Sequence, residues 1–200
     1  SFNPPTAAHQ ALITEAKKAV AVDEILLVLD QQAVDKEVFG APLEDRLLML
    51  LVLFGDDPQI SVGMSNRGLF LEKVQALQEI YPPGTQFSFI VGYDTIERVL
   101  DPKYYRQRDQ ALHRLFSQAR FLVANRKDRD EQDLRGLFQH QENRPFASRV
   151  SPLNLPSALA GISSSEIRRR VTAGKPVGGL ISPQLEEVLR KRGFYGGQEP

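Results

Sequence analysis

Short apolar runs alternate with helical stretches along this chain, and that alternation leaves few folds open to it. Glu24-Ile25-Leu26-Leu27-Val28-Leu29 is an almost continuous apolar run. Its length and branched residues predict a strand covered on both faces. Phe87-Ser88-Phe89-Ile90-Val91 and Phe121-Leu122-Val123-Ala124 read the same way, with shorter strands at Gln59 to Gly63 and at Val150. Helical segments are predicted at about 7–20, 43–54, 68–80, 112–116, 163–171 and 183–191. Strands alternating with helices imply βαβ crossovers, so the expected class is α/β, with a parallel sheet and helices on both faces. Ligands of such sheets bind at the carboxyl ends of the strands. The polar segments 1–9, 30–36, 92–94 and 163–168 are expected to converge on that edge. Segment 125–144 is strongly charged, anchored by Leu134, Leu137 and Phe138, and is expected as a peripheral helix or mobile loop. Gly193 to Pro200 is expected as a tail. Without repeat or linker, residues 1–200 are expected as a single domain.

Composition narrows the function. The 200 residues carry 25 basic and 25 acidic side chains and no formal net charge, which argues against general nucleic-acid binding. The absence of cysteine excludes disulfides and thiolate metal sites. His9, His113 and His140 lack ligand spacing, so no protein metal site is expected. No apolar run approaches membrane-spanning length and no signal peptide precedes the first motif, so a cytoplasmic protein without membrane attachment is expected.

Two stretches carry chemistry. In Ser1-Phe2-Asn3-Pro4-Pro5-Thr6-Ala7-Ala8-His9 a loop becomes a helix. Prolines suit a first turn, and a helix start offers free N–H groups and a positive dipole end to an anion. Thr6 and His9, three apart, share a face there. A plain threonine cap beside a semi-buried histidine explains the same residues. The second stretch is Ile162-Ser163-Ser164-Ser165-Glu166-Ile167-Arg168. Serines opening a helix, with an arginine one turn in, suit phosphate oxygens. The competing reading is a capping box, with Ser163 as cap and Glu166 reaching back.

Taken together, these stretches resemble the nucleotidylyltransferases with an (H/T)xxH signature, and most closely the nicotinamide- and nicotinate-mononucleotide adenylyltransferases. Those enzymes begin GxFNPxTxxH or GxFDPxHxxH and carry an ISSTxIR-like segment near the end. Gly92-Tyr93-Asp94 matches their GxD, and Asp35-Lys36 with Arg46-Leu47-Leu48-Met49 looks like their lysine and R-x-x-M region. The stretch from Val91 to Tyr105 resembles a divergent branch first described in fungi. The resemblance spans about residues 1–171 and implies a Rossmann-like, nucleotidylyltransferase-type sheet whose first strand would precede Ser1.

The resemblance also implies a reaction and a site. The phosphate of a pyridine mononucleotide attacks the α-phosphorus of ATP and pyrophosphate leaves. His9 and Thr6 would stabilise the transferring phosphoryl group. Ser163, Ser164 and Arg168 would hold the β- and γ-phosphates. Phe2 and Asn3 would belong to the ATP side, with Asn3 shaping the loop, and Gly92 and Asp94 would meet adenosine. Lys36 and Arg46 are candidate contacts to the acceptor, and Arg67 could separate its acid from its amide form. Mg²⁺ would be bound through ATP oxygens. Many relatives stack the pyridine ring on a tryptophan, and this chain has none. Phe70, Tyr93, Tyr104 or Tyr105 could replace it. Phosphopantetheine adenylyltransferases and cytidylyltransferases share the first motif, and a non-catalytic nucleotide-binding module is the remaining alternative. Self-association into a homo-oligomer is left open.

Overall fold

The computed structural model describes residues 2–31, 40–126 and 129–196. Its elements run α1 (Ala7–Ala19), β1 (Ile25–Asp30), α2 (Leu43–Phe54), β2 (Ile60–Ser65), α3 (Phe70–Ile80), β3 (Phe87–Gly92), α4 (Tyr93–Leu100), α5 (Arg108–Gln118), β4 (Ala119–Ala124), α6 (Glu131–Leu137), β5 (Val150–Leu153), α7 (Ser157–Ala160), α8 (Ser164–Thr172) and α9 (Pro183–Arg192). Turns of 3-10 helix cover Pro102–Tyr104 and Arg144–Arg149. The predicted strand–helix alternation is present and every strand pair is parallel. Any strand before Ser1 lies outside the described residues.

The chain forms two compact units, Ser1–Asn66 with Gly161–Pro200, and Arg67–Ala160. In the first, β1 pairs with β2 in the register Ile25↔Ile60 to Asp30↔Ser65. β1 buries alternate residues, Ile25, Leu27 and Leu29, against Ile13 of α1 and Leu50 and Phe54 of α2. α2 opens after Pro42 with Glu44 and Asp45 in its first turn, where acidic side chains meet the positive dipole end. Its buried stripe of Arg46, Met49, Leu50 and Phe54 has helical spacing but begins with a charge. A second apolar cluster joins Met49 to Ile167 of α8 and to Leu185 and Leu189 of α9. α9 starts on the Ser182 cap and ends at Gly193, whose φ of 64° lies in the left-handed region that glycine enters freely.

The second unit is a three-stranded sheet in the order β3-β4-β5. Phe121 and Val123 of β4 lie in its core with Val91, Ile96, Leu112 and Leu115. Pro152 lies opposite Val123 in the last strand of that order, where a missing N–H is tolerated. The charged segment proves ordered where described. Asp130 caps α6 by accepting from the N–H groups of Gln132 and Asp133, and Leu134 and Phe138 enter the core. α5 is longer than its apolar residues suggested, because Arg108 at its start ties into the fold. Arg108 Nε donates to the Leu100 carbonyl at 2.7 Å. Among the described residues no helix is long and apolar enough to cross a membrane.

Candidate functional site

Thr6 and His9 form a reciprocal cap at the start of α1. Thr6 Oγ1 accepts from the His9 N–H, and His9 Nδ1 accepts from the Thr6 N–H at 3.0 Å. This is a capping box with histidine where Glu or Gln usually stands. Thr6 Oγ1 also lies 2.8 Å from Nδ1 and can donate its hydroxyl proton there. A nitrogen that accepts a backbone N–H carries no proton, so the neutral ring holds its proton on Nε2. Burial pushes the imidazole from its ordinary 6.5 down to about 4. The ring is therefore a neutral donor through Nε2 near pH 7. Phe2 covers one side, its ring centroid 4.9 Å from that of His9.

This geometry sets a pH dependence. A histidine whose folded value lies below its unfolded one favours folding fully above the unfolded value. The contribution is lost as pH falls from about 6.5 towards about 4, because the unfolded chain then binds the extra proton. Between pH 7 and pH 5 this amounts to about 2 kcal/mol. In urea titrations, His9→Gln is expected to reduce the stability lost over that interval by about this amount. Equal losses in both proteins would mean that the imidazole is not held neutral.

The second stretch meets the first. Ser164 Oγ donates to the Pro4 carbonyl at 2.8 Å. Arg168 Nη1 donates to the Asn3 carbonyl at 2.6 Å, and its Nη2 lies 3.2 Å from Ser165 Oγ. Thus Asn3, Thr6, His9, Ser164 and Arg168 are gathered in one unit, from two helix starts and the loop that leads into the first. Ser163 caps α8 by accepting the Glu166 N–H at 3.2 Å. Glu166 does not reach back as a capping box requires; its carboxylate pairs with Arg169 and Arg170 on the next turn. The N–H groups of Ser164 and Ser165, in the first turn of α8, have no intrahelical acceptor and face the helix start, as a phosphate site needs.

Two buried polar side chains complete this region. Asn3 is 4% exposed and its Oδ1 accepts from the Ala41 N–H at 3.2 Å and from Tyr195 Oη at 2.7 Å. Arg46 is 3% exposed and, like Arg168, acts electrostatically on the Tyr195 hydroxyl. The expected tail is thus partly integral. Tyr195 was not among the sequence candidates; Phe194-Tyr195, an apolar pair between glycines after a capped helix, was the available signal.

The other candidates lie elsewhere. Lys36 is outside the described residues. Gly92 and Asp94 belong to the second unit, at the carboxyl end of β3 and the start of α4, where Asp94 is exposed and ion-paired with Arg126. Arg67 is exposed. Tyr104 sits in the 3-10 turn with Lys103 Nζ 4.7 Å from its ring centre. The stacking candidates Phe70, Tyr93 and Tyr105 serve the fold. Phe70 packs edge-on to Phe89 and Phe121, Tyr93 is buried, and Tyr105 Oη donates to the Val99 carbonyl at 2.7 Å. Among the described residues, no group of three acidic or histidine side chains is placed to hold a metal.

Known proteins are similar to this chain in sequence. A Schizosaccharomyces pombe protein named as a nicotinamide mononucleotide adenylyltransferase is 32% identical over 131 residues, covering 64% of this chain and 51% of the relative. Proteins named as nicotinate-nucleotide adenylyltransferases are similar over the whole chain. The one from Syntrophotalea carbinolica is 26% identical, with 95% of its length covered, and the one from Saccharopolyspora erythraea is 27% identical, with 88% covered. The chain therefore spans about half of the yeast relative and most of the bacterial ones. The cytidylyltransferase-like family model matches residues 1–170, which include both motifs and all five strands, and the chain belongs to that family.

Proposed function

We propose that this chain transfers AMP from ATP to nicotinamide or nicotinate mononucleotide, giving the dinucleotide and pyrophosphate. The observation that carries the reading is the union of the Thr6–His9 cap with Ser164 and Arg168 on one buried loop. Phosphoryl transfer of this kind asks a protein for alignment and charge neutralisation rather than covalent chemistry. The acceptor phosphate oxygen forms a bond to the α-phosphorus while the bond to the bridging oxygen breaks, and pyrophosphate takes that electron pair. His9 Nε2–H donates to an ATP phosphate oxygen as charge develops on the transferring group. Thr6 holds the imidazole in the donor tautomer. The open N–H groups of α8, the Ser163 and Ser164 hydroxyls and the remaining Arg168 N–H groups receive the β- and γ-phosphates. Mg²⁺ accompanies ATP through its phosphate oxygens. Gly92 and Asp94 are assigned to adenosine, and Lys36 and Arg46 to the acceptor phosphate, on the motifs alone. The working compartment is proposed to be the cytoplasm, and residues 1–200 to act as one domain.

A pyrophosphate-release assay tests the reading. With ATP and Mg²⁺, turnover is expected with nicotinamide or nicotinate mononucleotide and not with phosphopantetheine. Turnover that needs CTP would establish a cytidylyltransferase instead. Tight ATP binding without turnover on any acceptor would establish a binding module.

A further inference from the structure

The loop that carries the phosphate-site residues is held by a side chain from the far end of the chain. After α9 the backbone turns at Gly193, and the Phe194 N–H returns to the Leu189 carbonyl at 3.1 Å. Thr172 Oγ1 donates to the Tyr195 carbonyl at 2.8 Å, fixing this turn to the end of α8. Tyr195 itself has φ 60°, a left-handed conformation that a bulky residue adopts only when its surroundings over-determine it. Its hydroxyl reaches Asn3 Oδ1 at 2.7 Å, and the ring lies against the Gly40 backbone. A Cβ at Gly40 would meet the Tyr195 ring at 2.8 Å, Asn3 Oδ1 at 3.0 Å and Arg168 Cδ at 3.1 Å. Glycine at 40 thus lets three side chains close around one point.

We infer that Tyr195 is a positioning residue, which sets the Asn3–Thr6 loop through the Asn3 side chain and thereby places His9. Asn3 Oδ1 accepts from both Tyr195 and Ala41, so its side chain is clamped between two segments distant in sequence. Its own carbonyl accepts Arg168 Nη1. Pro4 and Pro5 follow with fixed φ angles, so displacement at Asn3 passes to Thr6 with little torsional relief. Thr6 is the N–H and hydroxyl partner of His9 Nδ1. Burial raises the Tyr195 hydroxyl well above its usual range, so it remains a donor at any working pH. Removing one hydroxyl should therefore loosen the placement of His9 without touching substrate, and misplacement of a transition-state donor is costly.

The turnover part of this inference rests on the adenylyltransferase reading, and a second readout is independent of it. Tyr195→Phe keeps the ring and removes only the donor. It is expected to lower kcat about 10- to 30-fold, with the KM for ATP changed less than about threefold. In a His9→Ala background the same change is expected to cost nothing more, because the loop then carries no donor to misplace. Independently, nitrogen NMR of the substrate-free protein is expected to show His9 Nδ1 as a strong acceptor in wild type and a moved or broadened signal in Tyr195→Phe. Should Tyr195→Phe not fold, Thr172→Val, which releases only the Tyr195 carbonyl, is expected to shift the same signal. An unchanged His9 signal overturns the inference, as does a full additional loss in the His9→Ala background. If wild type is inert on every acceptor but the His9 signal moves, the positioning role stands and the adenylyltransferase reading falls.

Discussion

His9→Ala is expected to lower kcat for dinucleotide formation by at least about 10²-fold, while ATP still binds with a similar Kd. One preorganised donor to a developing charge is worth about 3 kcal/mol in a water-poor site. His9 meets the requirement for preorganisation more fully than its position in a motif conveys. Its Nδ1 is occupied by the Thr6 N–H at 3.0 Å and by the Thr6 hydroxyl at 2.8 Å, so the ring need not reorient when charge develops. The same bonds separate His9→Ala from Thr6→Ala. Loss of Thr6 removes a helix cap worth about 1 kcal/mol and frees the imidazole to take either tautomer. Loss of His9 removes the donor and leaves Thr6 Oγ1 without its ring partner. Single-turnover rates at saturating ATP check the claim. A His9→Ala enzyme within about fivefold of wild type would remove His9 from the chemistry while leaving the fold intact.

Much of this site was legible because its two halves obey local rules. Prolines and a threonine before an apolar stripe mark a helix start, and serines followed by Glu and Arg mark another. Their convergence was expected from the sheet's carboxyl edge, but the bonds that join them were not legible from either. They depend on Ser164 Oγ and Arg168 Nη1 finding the Pro4 and Asn3 carbonyls more than 150 residues away, and no periodicity encodes such a bond. The capping role of His9 escaped because the capping-box rule looks for Glu or Gln at that position. Glu166, which fits the rule, was drawn instead to Arg169 and Arg170 one turn on. Parallel pairing followed from the alternation of apolar runs with helices, since parallel strands need crossovers between them. The packing of Phe194 and Tyr195 did not, because Gly193 and Gly196 around them resemble the composition of a free tail. Arg46 shows the converse. It lies with Met49 and Leu50 on the buried stripe of α2, a place that helical spacing alone assigns to apolar residues.

Arg168→Lys is expected to be nearly as damaging as Arg168→Ala, each lowering kcat/KM by about 10² to 10³-fold. A lysine retains the charge, so a site that needed only a cation would tolerate it. Here the guanidinium reaches two acceptors from separate nitrogens, with Nη1 on the Asn3 carbonyl at 2.6 Å and Nη2 by Ser165 Oγ at 3.2 Å. The remaining N–H groups stay available for phosphate oxygens in a fixed plane. An ammonium cannot hold the loop and a phosphate with the same fork, and its flexible stem loses more conformational freedom for each hydrogen bond made. The loss therefore has two sources, one from phosphate contact and one from the loop. They separate experimentally, because loss of the loop contact lowers thermal stability without ligand and loss of phosphate contact weakens ATP binding. Both variants are expected to do both, with Arg168→Ala losing more stability because its aliphatic stem no longer packs against Gly40. If Arg168→Lys stays within about threefold of wild type in kcat/KM, the arginine supplies charge alone and the Asn3 contact is incidental to catalysis.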